Sequence, residues 1–427
     1  MEREKKPVKR WYRLDNAALI YSAIQKEEYS AIYRFSAVMT QKVDPEALQR
    51  AVDRTLPRFP LFRSRIRKGA FWYYLEPNDA PGPFVRPDIS NCCQPMRFKE
   101  EGGWLVRFYY YERRISFEAF HALADGAGAL TFFRTLLAVY LREQGFQIPD
   151  GDGVLDIDAR PGAEELEDAY ARYAGSGPTA SMNDKAAYQA IGTAEPFYTF
   201  HVTMGFVPLD RLREVAHGYG ASVTEYMAAV LIETLMAKQE RERPHKRKPV
   251  ALAVPINLRT HFPSATLRNF ILTVRPSIDP NLGEYTFPEI VSQVHHHMRL
   301  HINRQEMRAQ FTRNVRFQRN KLLQLAPVWI KDLVMGMSYS FVGTRPYSAT
   351  MTNPGAFQVP ASMGPHIHHM EVVLGQSYVP RVNCASISYG NTMEISFAGT
   401  VVETDVERDF FRHLVKEGIP VKVISNR

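Results

Sequence analysis

The chain has 427 residues, of which 45% are hydrophobic, 12% aromatic and 23% charged, a globular composition that excludes disordered, collagen-like and low-complexity chains. The formal net charge is +8 and the mean hydropathy −0.29; no run approaches the roughly 18 apolar residues of a spanning helix, so no integral membrane association is expected. The charged start MEREKKPVKRW leads into no apolar signal region, and three cysteines cannot build a disulfide framework, so the expected compartment is the cytoplasm.

In chain order, residues 44–57 predict a helix with Leu48, Ala51, Val52 and Leu56 on one face. FPLFRSRI, a Lys68-Gly69 turn and FWYYLE read as a hairpin. A second hairpin runs from Trp104 to Phe120, turning at Glu112–Arg114. Its outgoing strand alternates Ile115, Phe117 and Ala119 with Ser116, Glu118 and Phe120, and His121 ends it on the Ile115 side. Residues 127–144 then predict a helix with Leu130, Phe133, Leu137 and Leu141 as its apolar stripe. Acids, glycines and small residues dominate the stretch near 147–195, the best candidate for an interdomain linker.

The second half opens with the strand PFYTFHVTMGF and a helix from Pro208 to about His217. Ser222 and Glu225 form a capping box before YMAAVLIETLMA. VALAVPINL and FILTVRPSI are continuous apolar runs, the pattern of buried strands. Residues 285–338 read as mostly helical, Tyr389-Gly390-Asn391-Thr392 as a hairpin turn, and a last helix as starting at Thr404 with a capping box to Glu407 and stopping before Gly418. Both halves mix helices and strands in similar order, so the fold class is α/β. The divisions expected are a first domain over 1–175, a linker over 176–195 and a second domain over 196–427.

Positive charge favours anionic partners. The densest basic run, Arg241–Lys248, has no interleaved aromatics and reads as a solvated connector, so no nucleic-acid partner is expected. His297 and His301 lie four apart on a helix, and His366 and His368 would share one face of a strand, yet neither pair has an evident third ligand; no metal is assigned. Nothing near Cys93 reads as an activating base, and Met335, Met337 and Met351 read as packing.

The informative segment is Phe120-His121-Ala122-Leu123-Ala124-Asp125-Gly126, an H-x-x-x-D-G at a strand-to-helix junction. A stiff strand end holds an imidazole in place, Gly126 lets the backbone turn, and Asp125 can orient the histidine or brace the loop.

On this motif the sequence resembles the acyl-CoA-dependent acyltransferase superfamily, which includes chloramphenicol acetyltransferase, condensation domains and polyketide-associated acetyltransferases. RFPLFRSRI, HALADGAGALTFFRTLLAVYL, GASVTEYMAAVLIETL, VPINLRTHFPSATLRNFI and SATMTNPGAF extend the resemblance along nearly the whole chain. Phe120 stands where the family often has a first histidine, Arg268 where a glycine commonly precedes the asparagine, and the plant enzymes' DFGWG is absent.

The resemblance implies two chloramphenicol-acetyltransferase-like domains, mixed sheets flanked by helices, with an active-site tunnel at their interface. It implies an O-acyltransferase in which His121 is the general base. Asp125 and Gly126 support its loop, and Arg259 pairs with Asp125 from the second domain. Thr352, Asn353 and Asn269 are the candidate oxyanion or substrate contacts. No bound cofactor is expected: acyl-CoA is the co-substrate and a hydroxyl-bearing small molecule the acceptor. The alternatives are a condensation-type enzyme taking its acyl group from an acyl carrier protein and a non-catalytic scaffold of the same fold.

Overall fold

Alternating and continuously apolar stretches become the strands of two mixed sheets and a small three-stranded antiparallel one, and amphipathic stretches become the helices that cover them. The computed structural model describes residues 11–15, 18, 21, 30–175, 185–320, 324–331, 345–376 and 381–427. Met335, Met337 and part of the 176–195 linker lie outside the described residues.

In the first half, β1 (Tyr12–Arg13) precedes β2 (Ile32–Met39), which is buried along almost all its length. In α1 (Pro45–Thr55), Asp44 caps the N-terminus by accepting from the Glu46 and Ala47 N–H groups, and Leu48, Ala51 and Val52 face the core as their spacing requires. β3 (Ser64–Lys68) and β4 (Tyr73–Pro77) form the first hairpin, to which β1 adds a third strand. β5 (Val85–Pro87), β6 (Val106–Tyr111) and β7 (Arg114–Phe120) follow, the last two as the second hairpin.

Past β7 runs α2 (Gly126–Glu143). It buries more than its one apolar stripe: Phe132, Leu136, Val139 and Tyr140 are inside as well, because α1 packs on one side of it and the sheet on another. Phe132 stacks on Phe62 at 4.5 Å and tilts against Phe117 at 4.9 Å, which fixes the helix over β7.

The second half adds α3 (Ala169–Tyr173), β8 (His201–Pro208), α4 (Leu209–Gly218) and α5 (Val223–Glu242). The capping box of α5 forms: Glu225 N–H donates to Ser222 Oγ and Ser222 N–H to the Glu225 carboxylate. The first apolar run is β9 (Val250–Asn257). The second is interrupted at Arg275-Pro276 and gives two antiparallel partners of β9, β10 (Ile271–Val274) and β11 (Ser277–Ile278).

α6 (Phe287–His301) and α7 (Arg304–Gln318) lead to β12 (Ala349–Thr352), β13 (Ile367–Leu374), β14 (Val382–Tyr389) and β15 (Thr392–Gly399). α8 (Asp405–Lys416) and β16 (Lys422–Ser425) close the chain. The capping box expected at Thr404 is not made: the Thr404 side chain bonds no backbone N–H, and Glu407 lies where burial raises its pKa. No described helix is long and apolar enough to cross a membrane.

The second sheet runs β10-β9-β12-β14-β15-β8-β16, with β12 parallel to both β9 and β14. The first runs β13-β2-β7-β6-β5. β13 therefore comes from the second half of the chain and completes the sheet of the first half, so the lobes do not divide cleanly at residues 176–195. Their junction is the contact of β13 with β14 and β15.

Candidate active site

β7 delivers His121 to this junction. Phe120 N–H donates to Leu105 O and His121 N–H to Ala31 O, each at 2.9 Å, so the strand end is held from two sides. The half-buried imidazole lies between two tyrosines. Tyr21 stacks on it at 4.3 Å with 19° between the planes, and Tyr33 meets it edge-on at 5.1 Å. The Tyr33 hydroxyl donates to Ala124 O at 3.0 Å, tying that ring to the same loop.

His121 Nδ1 lies 3.2 Å from Asn269 Oδ1. An amide oxygen only accepts, so Nδ1 carries the proton and the Nε2 lone pair is left unprotonated. The amide orientation follows from its other contacts: Asn269 Nδ2 donates to His121 O at 3.1 Å and to Asp15 Oδ2 at 3.4 Å. Burial pulls the His121 pKa below its ordinary value, against the opposing pull of Asp125 and Asn269, which favours the neutral base.

Both N–H bonds of Asn269 are thus used on protein oxygens. In this arrangement Asn269 holds the imidazole.

Asp125 turns away from the imidazole. Its Oδ1 accepts the Gly128 N–H at 3.0 Å and so caps α2, while Oδ2 accepts Arg259 at 2.7 Å and the Phe270 N–H at 2.7 Å. Arg259 stands just after β9 and also donates to Thr266 O and Arg268 O. One carboxylate therefore joins the histidine loop, the α2 N-terminus and the second lobe.

Gly126 is not the glycine this junction requires. A Cβ on Gly126 would sit 3.8 Å from Phe35 and Pro354, ordinary contact, whereas a Cβ on Gly128 would meet Leu267 O at 2.0 Å. The close approach of α2 to residues 266–268 is at Gly128, two residues past the glycine to which the sequence assigned the backbone turn.

Asp15 was also missed. It is 1% exposed, its Oδ2 lies 3.6 Å from Arg268 Nε, and Arg268 also donates to Arg13 O at 2.5 Å. Burial outweighs Arg268 and raises the Asp15 carboxyl to about 6. Arg268, the departure from the glycine common in the resembling family, binds the N-terminal segment to the site. Only that departure signalled it; no local pattern marks an isolated aspartate 254 positions from its partner.

Thr352 ends β12, and the turn after it reaches the motif loop: Pro354 is the residue against which a Gly126 Cβ would rest. Asn353 forms the turn by accepting Gly355 N–H at 2.9 Å and donates to Thr224 Oγ1 at 3.0 Å, so its amide is largely committed to structure. The half-buried Thr352 has no side-chain hydrogen bond among the described residues.

Other candidates fall elsewhere. His366 ends a short 3-10 helix and packs on Phe146 at 4.1 Å, so it does not share the strand face of His368. His301 pairs with Glu306. Burial pushes the Cys93 thiol well up, away from the thiolate a nucleophile needs. Among the described residues no group of three or more His, Cys, Asp or Glu is placed to hold a metal ion. A cavity lined by His201, Lys238, Phe397 and Glu407 lies in the second lobe and shares no residue with the His121 cluster.

No family model and no curated protein matches the chain. Solved structures do. Polyketide synthase associated protein 5 from Mycobacterium tuberculosis is 15% identical at a TM-score of 0.58, over 94% of this chain and 96% of that one. The condensation domain of the Monacolin K polyketide synthase is 13% identical at 0.58, over 96% of each. The starter condensation domain of rhizomide synthetase, in complex with C8-CoA and Leu-SNAC, is 14% identical at 0.55, over 96% and 94%. The chain has the two-lobed fold of these condensation and polyketide-associated proteins.

Proposed function

We propose that this protein is an O-acyltransferase that moves an acyl group from acyl-CoA to an alcohol, with His121 as general base and no covalent enzyme intermediate. The observation that carries the reading is the Nδ1–Asn269 contact, which leaves Nε2 unprotonated at a fixed strand end. Nε2 takes the acceptor hydroxyl proton as its oxygen attacks the thioester carbon. The tetrahedral oxyanion collapses with cleavage of the C–S bond, and the proton passes from Nε2 to the departing thiolate. Transfer of this kind contributes about 10²–10⁴-fold.

Thr352 is the proposed oxyanion donor, and loss of one such donor costs on the order of 10²-fold. Arg259 and Asp125 hold the loop without touching substrate. The net charge of +8 suits the phosphates of CoA, and the fold is one in which a starter condensation domain binds C8-CoA.

A second reading, a donor loaded on an acyl carrier protein, is favoured by the neighbours that are synthetase domains. The test is thiol release from acetyl-, octanoyl- and palmitoyl-CoA with a panel of alcohols and amines, by wild type and His121→Ala. Alcohol-dependent release that disappears in the variant supports the proposal. Release that is unchanged in His121→Ala refutes it, and turnover only with a carrier-loaded donor transfers the assignment to the second reading.

A further inference from the structure

Tryptophan is rarely left in water, yet of the four in this chain only Trp104 is buried. Trp11 is 61% exposed and Trp329 63%, beside Phe71 at 49%, Phe317 at 61% and Leu325 at 72%.

Direct contacts link these residues into one surface. The Trp11 ring meets Tyr74 of β4. Trp72 lies under the Arg13 guanidinium at 5.2 Å and the Lys331 ammonium at 3.7 Å. Lys331 donates to Phe71 O and Gln324 O, and Val328 N–H to Ala70 O. Gln324 N–H donates to Asn320 O, and Asn320 N–H to Phe317 O at the end of α7. β1, the β3–β4 turn, residues 324–331 and the end of α7 are therefore neighbours.

The same surface is basic. Residues 307–331 contain six Lys or Arg and no Asp or Glu. Arg308 and Arg319 are exposed and donate to the Tyr173 and Ala171 carbonyls, and neither pairs with a carboxylate among the described residues. Arg316 is exposed on the same helix, and Lys68 is exposed at the end of β3.

We propose that this surface docks on an anionic lipid bilayer, with Trp11, Phe71, Phe317, Leu325 and Trp329 entering the interface and the α7 arginines meeting lipid phosphates. Aromatic tips alternating with cations are the chemistry that headgroup regions accept. The apolar groups protrude singly, so they need a deformable acceptor. A folded acidic protein would have to offer a matched pocket for each.

Trp11 precedes Asp15 by four residues, at most about 14 Å of chain, and Asp15 contacts Asn269 beside His121. The surface thus borders the candidate active site, although the docking does not depend on the acyl-transfer reading.

The test is sedimentation of the full chain with phosphatidylcholine vesicles, with and without roughly one third phosphatidylglycerol. Expected are binding to the anionic vesicles only, its release by about 0.5 M salt, and a blue shift of tryptophan emission on binding. Arg316→Glu/Arg319→Glu and, separately, Phe71→Ser/Trp329→Ser weaken binding about tenfold or more. Lys246→Glu/Lys248→Glu, an equal charge change in the other exposed basic run, leaves it intact.

Melting curves establish that each variant is folded. Should one unfold, quenching of wild-type tryptophan by brominated lipid reads the same insertion. Failure of the wild type to bind anionic vesicles, absence of quenching, or equal loss with Lys246→Glu/Lys248→Glu overturns the proposal, as does capture by an acidic carrier protein through Arg316 and Arg319 without vesicle binding.

Discussion

Between His121 and Asn269 one hydrogen bond sets which nitrogen is basic, and the rate profile should report it. Because burial holds the imidazole below its ordinary pKa, the neutral base persists to lower pH. The acid limb of kcat/KM is therefore expected below about pH 6.5. Asn269→Asp places a carboxylate against Nδ1–H, favours the imidazolium and moves that limb upward by about one unit or more. Asn269→Ala removes the orienting acceptor without adding charge, so the rate falls about tenfold or more while the limb stays below the Asn269→Asp value. Identical limbs in wild type and Asn269→Asp would show that His121 is not the titrating base. None of this follows from the motif alone, since H-x-x-x-D-G says which histidine but not what orients it.

At the scale of elements, the junction between β7 and α2 rests on Asp125 and on the absence of a side chain at Gly128. Asp125→Ala removes a helix cap, about 1 kcal/mol, and leaves half-buried Arg259 without its carboxylate, for a total of about 2–4 kcal/mol. A lowered Tm and a reduced rate are expected together, and an Asp125→Ala enzyme with normal melting and full rate would remove the brace assignment. Gly128→Ala sets a methyl 2.0 Å from Leu267 O, so α2 must move off residues 266–268; Gly126→Ala has room. The expected order of Tm and rate is wild type near Gly126→Ala, with Gly128→Ala well below, measured by melting and thiol release.

The elements themselves were legible where short-range signals decide. α1 buries Leu48, Ala51 and Val52, Ser222 and Glu225 box α5, and the β6–β7 hairpin and α2 lie where alternation and stripe put them. Thr404 and Glu407 have the same box pattern and do not use it: half-buried Glu407 lines the cavity it shares with His201 and Lys238 instead. Asp15 and Gly128 act on partners far along the chain, and long-range approach leaves no mark in a local window.

For the molecule as a whole the decisive element is β13, which belongs by sequence to the second half and by pairing to the first sheet. Its outer edge is closed by side chains from β15: Val372 N–H donates to Glu394 Oε2 at 3.1 Å, and Ser396 Oγ donates to Val372 O. Glu394 is buried, and burial together with the nearby Glu371 charge holds its carboxyl well above the usual range. Glu371 itself is kept low by His369 and Arg114, against its burial, so it supplies the standing negative charge. Glu394 thus stays protonated in the folded protein at pH values where the unfolded chain, with an ordinary pKa near about 4.3, has released the proton. The unfolded state then binds fewer protons, and stability falls as pH rises from about 4.3 toward the folded value. Glu394→Gln keeps the acceptor for Val372 N–H and cannot ionise in either state. The two proteins should melt together near about pH 4.5, and the variant should melt higher as pH rises, the gap widening until the folded-state pKa is passed and then staying constant. A variant that melts below wild type at pH 8 would mean that an ionised Glu394 stabilises the junction, and the lobes would then be joined through a buried charge rather than through a neutral hydrogen-bonded edge.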